Sequence, residues 1–379
     1  MQKRKNVDNK DLIDINPQIL IWAREESQAK NVDVVNILGF NEKEYSEWER
    51  TGKNIPFKKL QILSKYFRRQ LSCFFLTEVP KRIKKPTDHR NLNIFNPNLS
   101  NETALVIRRA NRYTKLLMEL NDADYYKNKY KWLEEFKKSF SHHKTIDKED
   151  IVEWVRTKIN FSIETQRGAG SPGEVYSLLR NMIEEKLGIS VFQFKMPKQE
   201  VQGFCYADDA PYCIIINSDH YAETGKIFTL MHELGHILKH QSSICYPEKV
   251  DNDEKLEFEC NSFAGNLLIP KNVVMFENSA AGIYRQAKKL RISSEAYLRR
   301  MKTLGLVSDE MFFKLLDEIR SKVIKPRKGF AILSQIQKSV NSRGRHLFDT
   351  VVDASRNNKI SYSSASDVLG IKINHFVNL

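Results

Sequence analysis

Residues 228–240 read FTLMHELGHILKH, and at their centre His232-Glu233-Leu234-Gly235-His236 forms an HExxH pentapeptide. Residues four apart share one face of an α-helix, so both imidazoles can bind a single metal ion. Glu233, one position beyond His232, can address water at that ion as a general base. A chain of this length contains the pattern by accident about 1% of the time.

A zinc hydrolase also needs a third protein ligand and an open fourth position. His240 lies four residues beyond His236, but eight helical residues from His232 rise about 12 Å, too far to share an ion with both histidines. The continuation HExxHxxGxxH is absent. The better candidate lies 21 residues after His236, in LEFECNSFA (256–264). Leu256, Cys260, Phe263 and Leu267 form a core stripe, and Glu257 and Asn261 occupy an adjacent face. A carboxylate followed one turn later by a polar side chain that can orient a ligand suits a gluzincin-like site. Glu259 is the rival, two residues away and directed elsewhere. The plain alternative is that both glutamates are solvated.

Upstream, ISVFQFKM (189–196), GFCYA (203–207) and CIIIN (213–217) are β-branched or aromatic runs with turn residues between, and read as strands. Helices are expected over 227–240 and from about Asp253 to Leu268, where Pro270 stops the second. Residues 17–79 read as a series of short helices. Two long helices are expected over 100–140, a loop at QRGAGSPG (166–173), and a helix over Val175–Leu187. From 281 onward the pattern is helical, with breaks at Gly305 and KPRKGF (325–330). The expected fold class is α+β, mostly helical. Its parts are an N-terminal helical bundle (1–80), a basic linker and helical connector (81–150), a metallopeptidase domain with a small sheet and the HExxH helix (151–280), and a basic helical C-terminal region (281–379).

The composition fits an ordinary globular protein: 379 residues, 41% hydrophobic and 28% charged, with 15 Gly and 11 Pro. Five scattered cysteines make no CxxC pair, which argues against a disulfide framework or a cysteine zinc knuckle. The charged start has no apolar core of a signal peptide, and no stretch approaches a membrane-spanning run. A cytoplasmic, reducing location without membrane contact is the expectation. Net charge is +14, distributed as +7 over 1–100, −4 over 101–280 and +11 over 281–379. The excess therefore points to a polyanionic partner only at the ends.

FTLMHELGHILKH followed by EFECNSFAGNLLIP (257–270) resembles the ImmA/IrrE family of metallo-endopeptidases. The resemblance implies one Zn²⁺ per chain held by His232, His236 and Glu257. It also implies catalysis by Glu233, Asn261 as a supporting residue behind the ligands, and cleavage of a transcriptional repressor as the activity. Departures are small: Cys260 stands where Ala is usual, and Gly265-Asn266 where Ala-Glu is common. Residues 17–80 resemble the XRE-type helix-turn-helix often fused to such peptidases, through ILIWARE (19–25), SEWERTG (46–52) and FFL-x-x-x-P (74–80). TDHRNLNIF (87–95) and ISYSSASDVLGIKINHF (360–376) resemble the same two-domain subfamily.

Whether this module binds DNA is a separate question. A recognition helix favours Lys and Arg near phosphate, yet Asn41–Glu49 holds four Glu against one Lys. Arg50, Lys53, Lys58 and Lys59 are the candidate phosphate contacts; the alternative is a dimerisation or substrate-docking module that keeps the fold and loses the DNA chemistry. The second functional reading of the chain is a DNA-binding regulator or antitoxin whose metal site is structural or sensory, and the acidic helix argues against it. Elsewhere, His89, His142 and His143 read as exposed, and His220, His240 or Tyr246 as possible oxyanion donors. Cys205 and Cys213 read as core, and Arg285, Lys288, Lys289, Arg291, Arg299 and Arg300 as a solvated basic face.

Overall fold

The computed structural model describes residues 11–82, 99–219, 222–240, 243–245, 254–321 and 333–376. The chain divides into two compact units, Met1–Lys85 with Ile94–Asn111, and Pro86–Asn93 with Arg112–Leu379. TDHRNLNIF, most of KRIKKP, the KPRKGF break, His89, His220 and Tyr246 lie outside the described residues.

The first unit opens with β1 (Leu12–Ile13), then α1 (Pro17–Glu26), α2 (Asn31–Leu38) and α3 (Glu42–Thr51). β2 (Ile55–Pro56) pairs antiparallel with β1, and α4 (Phe57–Tyr66) leads to a 3₁₀ turn at Leu71–Phe75. Asn16 caps α1 and Asn41 caps α3, each through a side-chain oxygen accepting a backbone N–H. Leu20, Trp22, Tyr45, Trp48, Leu63 and Phe74 fill the core. Gly52 turns the chain in the left-handed region, where a side chain would strike the carbonyl of Ile15. Of the acidic residues on α3, Glu49 is not solvated: it accepts from Arg24 at 2.6 Å and from the Tyr45 hydroxyl at 2.8 Å.

Residues 100–140 form three helices rather than two: α5 (Asn101–Leu120), α6 (Ala123–Lys129) and α7 (Lys131–Phe140). The break comes from Asp122, whose carboxylate takes the Tyr125 N–H and starts a new helix. Next come α8 (Glu149–Lys158), α9 (Ile163–Gly168) and α10 (Pro172–Met182). The expected loop at 166–173 is therefore short. Gln166 is buried inside α9, capped by Ser162, and α10 starts at Pro172 behind the Ser171 cap. A π-helical turn at Ile183–Leu187 ends α10 at the left-handed Gly188.

Strands β3 (Ser190–Phe194), β4 (Gly203–Tyr206) and β5 (Cys213–Asn217) fall where their sequences place them. α11 (Glu223–Leu238) follows, then a strand the sequence reading missed, β6 (Ser243–Cys245), then α12 (Glu254–Leu268). The sheet order is β3-β5-β4-β6, with β3 parallel to β5 and the other pairs antiparallel. Cys205 and Cys213 are buried on neighbouring strands. β6 is only three residues long, too short for its alternation to stand out from a polar loop.

The remaining helices are α13 (Ala280–Lys289), α14 (Ser294–Thr303), α15 (Asp309–Ser321), α16 (Gln335–Arg356), α17 (Tyr362–Leu369) and α18 (Ile373–Phe376). α16 kinks at Gly344, where φ is 79° and a side chain would strike Glu184. The buried Glu184 carboxylate accepts the N–H groups of Val191 at 2.9 Å and Arg345 at 2.8 Å, joining the kink to β3.

Candidate metal centre

α11 is buried almost throughout from Lys226 to Leu238, because it lies between the sheet and α12. His232 and His236 point to the same side, as their spacing requires, and both are buried. Gly235 faces α12, where a Cβ would lie 3.3 Å from Cys260 Sγ and Phe263 Cδ1. Its missing side chain lets the two helix backbones approach closely, and that approach delivers Glu257 to the histidines.

Three side chains then converge. His232 Nε2 lies 3.1 Å from His236 Nε2, His232 Nε2 lies 3.3 Å from one Glu257 oxygen, and His236 Nε2 lies 3.4 Å from the other. Two metal–ligand bonds of about 2.1 Å at a tetrahedral angle would separate their ligand atoms by about 3.4 Å. Two imidazole nitrogens and a carboxylate at that spacing match the donor set and size of a zinc-type site. Burial acts to raise the Glu257 carboxyl, but its hydrogen bonds with His232 and His236 outweigh this and hold it well below the usual carboxylate range. Burial likewise lowers His236 and favours the neutral imidazole that a metal requires.

Behind the donors, Asn261 Oδ1 lies 3.0 Å from His232 Nδ1. An amide oxygen only accepts, so His232 presents an Nδ1–H to Asn261 and leaves Nε2, on the side of Glu257, as the atom that would ligate a metal. Glu233 is fully buried and lies against β4, where a Cβ on Gly203 would fall 3.3 Å from its Oε1. Glu259 points away and pairs with Lys239 at 2.9 Å. The His240 ring packs on Tyr212, apart from the three donors.

The anchoring of α12 is the part that sequence reasoning missed. Helix C-termini leave carbonyls without intrahelical partners. Here Arg156 donates to Leu267 O at 2.5 Å, Gln166 to Leu268 O at 3.0 Å, and Arg300 to Ile269 O at 2.9 Å. Arg300 is therefore buried, not part of a solvated basic face, and Arg291 donates to Ala169 O. Arg285, Lys288 and Lys289 are exposed as expected. The only sequence signal for these caps is that each belongs to a separate helix ending near the core.

The candidate phosphate contacts sit in the first unit. Arg50 forms an exposed pair with Glu47 at 2.6 Å, and Lys59 lies 4.1 Å above the Phe40 ring. Lys53 and Lys58 are exposed. His143 is not a lone histidine, since its Nε2 lies 2.7 Å from Asp150. With His142 these two form a second group with metal-ligand spacing, at the turn between α7 and α8.

No curated protein matches the chain. The segment that holds the sheet, α11 and α12 has a recognisable likeness nonetheless: residues 184–302 match the family model Peptidase_M78, the IrrE N-terminal-like domain, a metallopeptidase of the ImmA/IrrE type.

Proposed function

We propose that the chain is a zinc-dependent endopeptidase that cuts a protein substrate at a specific site. The observation that carries this reading is the convergence of His232, His236 and Glu257 donor atoms at 3.1–3.4 Å beside the buried Glu233. His232, His236 and Glu257 hold one Zn²⁺ per chain. A bound zinc ion supplies Lewis acidity that polarises a peptide carbonyl and acidifies water. Glu233 takes the proton from the attacking water and passes it to the leaving amine. Asn261 keeps His232 in the tautomer that can ligate. The burial of α11 restricts access to the site and favours narrow specificity over general proteolysis.

The substrate class in this proposal is a helix-turn-helix transcriptional repressor in a phage, mobile-element or stress response, and the location is cytoplasmic. No described helix is long and apolar enough to cross a membrane. The first unit supports a helix-turn-helix reading through α2 and α3, joined by a three-residue turn with Gly39 in the left-handed region. DNA contact by this module is the second reading. With Arg50 held by Glu47 and Lys59 on Phe40, it rests mainly on Lys53 and Lys58. Docking of the substrate repressor is the use we favour for the module.

Glu233→Gln tests the enzyme reading. It should retain zinc at one equivalent and abolish cleavage of a candidate repressor encoded beside this chain. Undiminished cleavage would remove Glu233 as the base, and absence of bound zinc in the wild type would remove the metal site. Sequence-selective, salt-sensitive DNA binding with no cleavage would favour the regulator reading.

A further inference from the structure

A groove of about 930 Å³ opens along the N-terminal half of α11. Its walls include Gln202 just before β4, Phe228 and Thr229 of α11, Tyr284 of α13, Arg299 of α14 and Arg320 of α15. Thr229 precedes His232 by three residues and His236 by seven, so helical periodicity puts it on the histidine face. Gly203 completes the link. A Cβ there would fall 2.7 Å from Thr229 Cγ2 and 3.3 Å from Glu233 Oε1. The inner wall of the groove thus ends at Thr229, which is separated from the buried Glu233 by the side-chain-free Gly203.

Outward from this junction the chemistry changes in order. The middle is apolar, with Phe228 half-buried and the Tyr284 ring 57% exposed. A concave site that leaves an aromatic ring in water is the usual form of a ligand-binding surface. The outer end is basic. Glu295 accepts from Arg299 at 2.7 Å and from Arg320 at 3.0 Å, so two guanidinium groups share one carboxylate and leave a net positive charge. Both arginines are more than half exposed. Of this end, Glu295 and Arg299 lie within the segment 184–302 that matches the family model, and Arg320 is contributed from beyond it by α15.

The geometry points to a specificity groove for the polypeptide substrate: an apolar or aromatic side chain beside the scissile bond lodges against Phe228 and Tyr284, and an Asp or Glu further along meets Arg299 and Arg320. This inference rests on the hydrolase reading above. The occupant is a segment of substrate chain because the groove's inner wall, Thr229, lies on the histidine face of α11 one residue layer from Glu233, and its acidic character follows from the charge at the outer end.

The test uses the full-length, zinc-loaded Glu233→Gln protein, immobilised and challenged with a random peptide library of about a dozen residues. Wild-type protein digests the same library in parallel. Retained peptides should be enriched in an apolar residue with Asp or Glu a few positions away. Tyr284→Asp, at an exposed position, should weaken a selected peptide about tenfold. Arg299→Glu combined with Arg320→Glu should weaken it about threefold to fivefold and move the enrichment toward Lys and Arg. Circular dichroism and zinc content confirm that each variant is folded and loaded.

No retained peptide, enrichment without these features, or unchanged affinity in the folded variants overturns the groove. Retention with the expected preference but no cleavage by wild type supports the groove and sinks the hydrolase reading. Cleavage with a preference indifferent to both variants does the reverse.

Discussion

Asn261 Oδ1 lies 3.0 Å from His232 Nδ1, one helical turn beyond Glu257 on α12. One helix therefore supplies both the carboxylate donor and the group that sets the tautomer of a histidine on its neighbour. Asn261→Ala should weaken zinc binding by about 10- to 100-fold. Asn261→Asp, which keeps an acceptor in place, should hold affinity near wild type. Competition with a chromophoric chelator measures both. Equal affinity in wild type and Asn261→Ala would show that His232 needs no such partner.

Gly235 sets how near α12 can come. Ala there gains about 1 kcal/mol of helix propensity over Gly. Its Cβ meets Cys260 and Phe263 at 3.3 Å, so we expect little net change. Val should lose about 1–3 kcal/mol through overpacking and should also weaken zinc binding by pushing Glu257 away. Urea unfolding with and without zinc separates the two effects. A Val variant with unaltered stability would mean that the helices yield without cost.

Arg300 offers a different route to the same helix. Its removal leaves the Ile269 carbonyl buried without its donor, at a cost of about 1–3 kcal/mol. Arg300→Met retains most of the side-chain volume and isolates the lost hydrogen bond. Loss of stability with no change in zinc stoichiometry is the expected outcome. Substituting the exposed Lys288 should stay within about 0.5 kcal/mol and serves as the control.

His346 carries a pH signature. Its Nδ1 lies 2.9 Å from Ser190 Oγ and its Nε2 3.2 Å from the Tyr125 hydroxyl. Burial, with a smaller effect from Lys129, pushes the imidazole down to about 4. The unfolded chain titrates near 6.5, so between these values it binds a proton that the folded chain refuses. Stability from this group is full above pH about 6.5 and falls as pH drops toward 4, by about 3 kcal/mol in all. His346→Gln should flatten that acid limb in urea unfolding across the pH range. An unchanged slope would place the proton uptake elsewhere.

Periodicity was enough to read the short helices of residues 17–79, the strands β3 to β5, and the helices α11 and α12, because each pattern is local. The stripe of Leu256, Cys260, Phe263 and Leu267 is buried as its spacing demands. Local patterns failed where a partner distant in sequence decides the outcome. β6 exists because β4 offers it an edge, α9 holds the buried Gln166 because that amide reaches two helix ends, and Arg300 is inside because Ile269 O is there.

The HExxH spacing alone determined that His232 and His236 share a face with Glu233 beside them, since that is a property of any α-helix. The face that Glu257 shares with Asn261 favoured it over Glu259 as the third donor, but periodicity within one helix cannot bring a carboxylate to the histidines of another. That placement belongs to the tertiary structure: with close packing at Gly235, Glu257 lies beside the histidines and Glu259 pairs with Lys239. A single helix can present two ligands, but a third must come from another element. Its placement depends on how two backbones meet.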